Sequence, residues 1–86
     1  MTQQHSDEYR RLVARLKDAR VRARVSQEVL AERIGLDQSW VSKVERGVRR
    51  LDVIEFIKIA HAIGCDYREL LDPASEELME AGKSIS

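Results

Sequence analysis

The chain has 86 residues, 43% of them hydrophobic and 5% aromatic, enough for one small domain that buries roughly 60–65% of its unfolded surface and has no room for a deep catalytic cavity, which favours a binding module. A single cysteine, Cys65, excludes an intramolecular disulfide, and with His5 and His61 it lacks the spacing of a metal site, so no metal or cofactor is expected and a reducing cytoplasm fits. The formal charge of zero hides an asymmetry: residues 1–50 hold twelve Lys/Arg against seven Asp/Glu, or +5, and residues 51–86 hold three against eight, or −5, so one half suits a phosphate-facing surface unless the charges are merely solvated and uneven.

The start, MTQQHSDEYRR, is polar where a secretory signal would be apolar, and no apolar run approaches the ~18 residues of a membrane span. With many aliphatic residues and one proline, the expected fold class is all-α, a five-helix bundle. Ser6 caps a first helix over residues 7–23, with Asp7 and Glu8 in its first turn and Tyr9, Leu12, Val13, Leu16, Ala19 and Ala23 at helical spacing. Ser26 caps a short second helix whose face is Leu30, Ala31 and Ile34, and Gly35 ends it. Asp37 caps a third, with Val41 and Val44 inward and Gly47 as its stop. Asp52 and Glu55 form a D-x-x-E capping box before a fourth helix with Val53, Phe56, Ile57, Ala60 and Ile63 on one face. Asp66 and Glu69 repeat the box before a fifth helix of barely two turns, which Pro73 stops after Asp72. The domain then occupies residues 1–73, and 74–86 form a tail, frayed or an oligomer contact through Leu78, Met79 and Ile85.

The stretch from Gln27 to Arg46 carries the chemistry. Two helices joined by a few residues cross steeply only if the crossing point is small and the turn tolerates a positive φ, and Ala31 and Gly35 meet these requirements. Leu30, Ile34, Leu36, Val41 and Val44 then fill the wedge, which defines a helix-turn-helix. At ~100° per residue, Val41, Val44 and Glu45 point inward, while Ser39, Ser42, Lys43 and Arg46 share the outer face and Gln38 projects from the first turn. Gln and Lys address purine edges and serine a base or a phosphate; otherwise this face is simply solvated. An inward carboxylate at Glu45 is costly unless paired. Trp40 sits on the border between the two faces.

From Leu16 to Leu71 the sequence resembles, without gaps, the Cro/repressor-type helix-turn-helix family of XRE-like regulators, most specifically in SQEVLAERIGL, SWVSKVERG and KIAHAIG. The resemblance implies five helices, a third helix that reads operator DNA, and a homodimer. It assigns base reading to Gln38, Ser39, Ser42 and Lys43, and contacts to the DNA backbone to Gln27 at the start of the second helix and to Arg46, Arg49 and Arg50 around Gly47. It also pairs Arg20 with Glu45 as a structural tie. Trp40, where relatives often carry tyrosine or phenylalanine, either touches the edge of the DNA backbone or packs. Two departures stand out: Arg24 occupies a position where relatives often have glycine, and Leu51 one where they often have proline. Arg24 therefore either takes a left-handed conformation or the turn differs.

These readings lead to a sequence-specific, cytoplasmic regulator of transcription, a repressor in the first instance, that binds double-stranded DNA as a homodimer. The alternatives are a fold used as a protein-interaction module, or an antitoxin that also holds a protein partner. Catalysis has little support, because His61 and Cys65 straddle Gly64 with no carboxylate pattern or phosphate loop nearby.

Overall fold

The computed structural model describes residues 6–85, apart from the side chains of residues 74, 77 and 81–85. His5, considered above as a metal ligand, and the side chain of Ile85, considered as an oligomer contact, lie outside the described residues. Five helices follow one another, α1 Asp7–Arg22, α2 Gln27–Ile34, α3 Gln38–Glu45, α4 Val53–Ala62 and α5 Tyr67–Ile85, and the described residues contain no strand.

Each of the first four helices begins where a side-chain oxygen is available to an orphan N–H. Ser6 accepts from Tyr9 N, Ser26 from Val29 N and Asp37 from Trp40 N, and Asp52 forms a reciprocal capping box with Glu55. All four also end in the same way, with crossed bonds that satisfy the last carbonyls and require a left-handed residue just past the helix. At the end of α2, Leu36 N donates to Ala31 O at 2.9 Å and Gly35 N to Glu32 O at 3.3 Å, with Gly35 at φ 75°. At the end of α1 the same pattern runs from Val25 N to Arg20 O at 3.2 Å and from Arg24 N to Val21 O at 3.0 Å, but the left-handed residue is Arg24, at φ 61°. The turn is thus the ordinary one, and the arginine bears the strain. Arg24→Gly is expected to raise the unfolding free energy by up to ~1.6 kcal/mol, the ~1–2 kcal/mol of left-handed strain less the ~0.4–1 kcal/mol by which glycine loosens the unfolded chain; a denaturant melt checks it.

The core lies between α1, α2, α3, α4 and the start of α5. Leu16, Val25, Leu30, Ala31, Val41, Phe56, Ile59, Ala60, Ile63 and Leu70 form one buried cluster; α3 contributes Val41 to it, 1% exposed, and also buries Val44, 2% exposed. Some residues expected inside are not there. Val53 is 70% exposed and Leu36 45%, and Ala23 is exposed. Each stands within a residue or two of a helix end, where the chain is already turning away from the core and the 3.6-residue rule no longer fixes direction.

The larger correction concerns α5. Instead of two turns halted at Pro73, it runs 19 residues with Pro73 inside it. Proline removes one i to i−4 hydrogen bond and crowds one carbonyl, but Glu, Leu, Met, Ala and Lys beyond it are strong helix formers and resume the helix. Its start also differs from the expected box: the Asp66 carboxylate accepts from Arg68 N at 3.0 Å and from the Arg68 guanidinium, in place of a reciprocal bond with Glu69. The guanidinium beside it holds the Asp66 carboxyl below the usual range. The long α5 explains a radius of gyration of 13.6 Å, above the ~12 Å of a compact chain of this length.

Candidate nucleic-acid interface

Arg20, nearly buried on α1, connects three elements. Its Nε donates to Glu45 Oε2 at 2.7 Å, its Nη2 to Glu45 Oε1 at 3.0 Å, and its Nη1 to Val25 O at 2.7 Å in the α1–α2 turn. The two side chains are 10% and 8% exposed. This planar, two-point pairing is the strong form of a charged hydrogen bond, and it meets the demand that an inward carboxylate be satisfied. It ties α1 to the last turn of α3.

Polar contacts continue outward from that pair. Gln27 Nε2 donates to Glu45 Oε1 at 2.8 Å, and Gln38 Nε2 donates to Gln27 Oε1 at 2.7 Å. A carboxylate only accepts, so Glu45 turns the nitrogen of Gln27 inward and its oxygen outward. That oxygen in turn orients the amide of Gln38, which is exposed at the start of α3. One buried ion pair thereby sets the polarity of a surface glutamine two side chains away.

The remaining members of the α3 row are Ser39 and Lys43, both exposed, and Ser42, half-buried, whose hydroxyl accepts from Arg46 Nε at 3.2 Å. Arg50 is exposed, and its guanidinium carbon lies 4.5 Å from the centre of the Tyr9 ring. The Tyr9 hydroxyl accepts from Leu51 N at 2.8 Å, which fixes the α3–α4 connection on α1.

Trp40 and Arg49, both expected at the DNA backbone, are engaged within the protein, as the Gln27 amide is through Glu45 and Gln38. Trp40 is half-buried and packs against the core cluster, and the Arg49 guanidinium lies over its ring at 4.9 Å. Arg49 also grips both oxygens of Glu55, Nη1 to Oε1 and Nη2 to Oε2, each at 3.0 Å. Its hydrogen bonds, with one from Asp52 N, hold the Glu55 carboxyl below the usual carboxylate range. Sequence reasoning missed Glu55 and Tyr9 as parts of this surface. Glu55 was fully explained as a capping residue, and nothing in spacing links Tyr9 to a loop 42 positions away.

Among the described residues no three His, Cys, Asp or Glu come together as a metal site, and no helix is long and apolar enough to cross a membrane. His61 is exposed with its ring centre 6.3 Å from that of Tyr67. Cys65 is half-buried, and burial raises its thiol pKa, which disfavours the reactive thiolate.

Two short helices that cross at a left-handed turn, the second with a polar outer row braced from behind, define a helix-turn-helix. A sequence profile described as Helix-turn-helix matches residues 16–70. The chain is 37% identical over 52 residues to y4dJ, an uncharacterized HTH-type transcriptional regulator of Sinorhizobium fredii, spanning 60% of this chain and 68% of that one. Among solved structures it is similar to an XRE-family like protein from Pseudomonas syringae pv. tomato, at 43% identity and a TM-score of 0.78 over 81% of this chain and 85% of the other. It is also similar to the restriction-modification controller protein C.AhdI from Aeromonas hydrophila, at 38% identity and a TM-score of 0.66 over 77% and 98%. A third likeness is to the hypothetical transcription factor NHTF from Neisseria, at 34% identity and 0.68 over 92% and 94%. The chain belongs to the XRE-like helix-turn-helix family of DNA-binding transcription regulators.

Proposed function

We propose that the protein is a repressor that binds a pseudo-palindromic operator as a homodimer, with α3 in the major groove. The observation that carries this reading is the chain Arg20–Glu45–Gln27–Gln38. With one N–H of Gln38 committed to Gln27, its carbonyl oxygen and second N–H form the acceptor and donor pair that matches N6 and N7 of adenine. Ser39, Ser42 and Lys43 read neighbouring positions, while Gln27 at the start of α2, Arg46 and Arg50 face the phosphates. The likeness to a restriction-modification controller supports a regulatory role of this general kind.

Dimerisation is read from α5. Leu78 and Met79 are 56% and 62% exposed, and with Leu71 and Ser75 they line a shallow apolar groove. A helix whose outer turns carry large apolar side chains has a face to cover, and a second copy of the same face does so under two-fold symmetry. The far end of α5 is accordingly assigned as the dimer contact and not as a frayed tail.

Selection of bound sites from random duplex DNA, paired with sedimentation, tests the proposal. The expected result is a palindrome with half-sites about one helical turn, or ~34–36 Å, apart, bound by a species that sediments as a dimer at micromolar concentration and becomes monomeric with Met79→Glu. No enrichment, with binding that merely fades as salt rises, would instead favour the protein-interaction reading.

A further inference from the structure

We infer that Arg49 is a positioning residue, a strap that sets the angle of α3 against α4, and not a phosphate contact. The inference rests on the DNA-reading role proposed for α3. One planar guanidinium touches three segments: it lies 4.9 Å over the ring of Trp40 on α3, donates to Arg50 O at 2.9 Å in the connection, and closes on both carboxylate oxygens of Glu55 on α4. Glu55 is itself fixed, since Oε1 accepts from Asp52 N at 3.0 Å and its own N–H donates to Asp52 Oδ1 at 2.7 Å. The position of the indole is thus transmitted through a rigid fork to the first turn of α4.

This arrangement reduces what Arg49 can offer a phosphate, because only Nε–H and one Nη2–H stay outside the bonds to Glu55 and Arg50 O. The fork edge that would meet two phosphate oxygens already meets two carboxylate oxygens, and the charge is neutralised at 3.0 Å. Meanwhile Trp40, which also packs on the core, gains a charged neighbour 4.9 Å from its ring centre that holds the α3 row at one rotation. The charge that replacing Arg49 leaves behind is Glu55, which is 24% exposed and keeps its bond from Asp52 N, so the fold tolerates the variants that test it. Lysine cannot substitute, because a point charge neither stacks as a plane nor pairs at two points.

The test compares wild type, Arg49→Gln, Arg49→Lys and Glu55→Gln on the duplex selected above, with affinity measured across a salt series, Arg50→Gln as a comparison, and the emission of Trp40, the single tryptophan, recorded in the free proteins. Arg49→Gln is expected to weaken specific binding by about 10-fold, the worth of one stacked and two-point charged contact, with the salt slope unchanged. Arg49→Lys should be equally weak although it keeps the charge, Glu55→Gln should also weaken binding, and Trp40 emission should shift in both Arg49 variants. The inference is overturned if Arg49→Gln reduces the salt slope by ~0.9, the mark of one lost phosphate contact, if lysine restores affinity, or if Glu55→Gln tightens binding by releasing the arginine. Unchanged Trp40 emission in both Arg49 variants would also overturn it. A wild-type protein with no preferred duplex would sink the proposed function instead, and the emission measurement would still decide whether the strap exists.

Discussion

Replacing Glu45 by alanine is expected to lower the unfolding free energy by ~3–5 kcal/mol, the cost of leaving one member of a buried ion pair without its partner. Arg20 would keep its bond to Val25 O but lose both contacts to the carboxylate. Against the ~4–13 kcal/mol typical of a chain this long, that is more than about a fifth of the total, and it corresponds to a fall in melting temperature of ~12 °C or more. Thermal melts followed by circular dichroism measure it. The double variant Arg20→Met with Glu45→Leu separates stability from function. Apolar side chains of similar volume often replace a buried pair without loss, so the double variant should recover most of the stability, short of wild type because Val25 O loses its donor. It nevertheless deprives Gln27 of the acceptor that orients it, and the base preference opposite Gln38 should loosen. A double variant that is stable and fully selective would show that the ion pair acts only on the fold.

The second large effect is expected on the DNA side. Changing Gln38, Ser39 and Lys43 together to alanine removes exposed side chains from a helix held in place by Val41 and Val44, so folding should change little. Each two-point contact to a base edge carries ~1–3 kcal/mol of discrimination. The triple variant should therefore lose specific affinity by ~10²-fold or more, toward the level of binding to unrelated duplex. Non-specific binding, which rests on phosphate neutralisation, should fall far less. Quantitative gel shifts against the selected and a scrambled duplex at one salt concentration give both numbers.

The difference between what was readable in the sequence and what was not has a physical cause. Ser6, Ser26, Asp37 and Asp52 mark the helix starts because a cap acts within three residues, well inside the reach of local reasoning. The left-handed stops are equally local, and even the substitution of Arg24 for glycine left the turn in place. The inward direction of Glu45 followed from helical geometry alone. Pro73 misled because its cost is real but finite, and helix-forming residues on both sides outweigh it. The strap at Arg49 could not be read, since it depends on which rotamer brings a loop arginine over Trp40 and onto Glu55. The same holds for Gln27, whose contacts to Glu45 and Gln38 cross 18 and 11 positions of sequence.

If the network behind α3 presents Gln38 to a base edge, the contact is measured by substituting 7-deazaadenine, which lacks the N7 acceptor, for each adenine of the selected half-site in turn, with wild type and Gln38→Ala compared on every duplex. At one position wild type should lose about 10-fold in affinity while Gln38→Ala loses nothing further, so that the two changes fail to add. Additive losses at every adenine would mean that Gln38 does not read an adenine through N7, and would overturn its assignment as the adenine-reading residue.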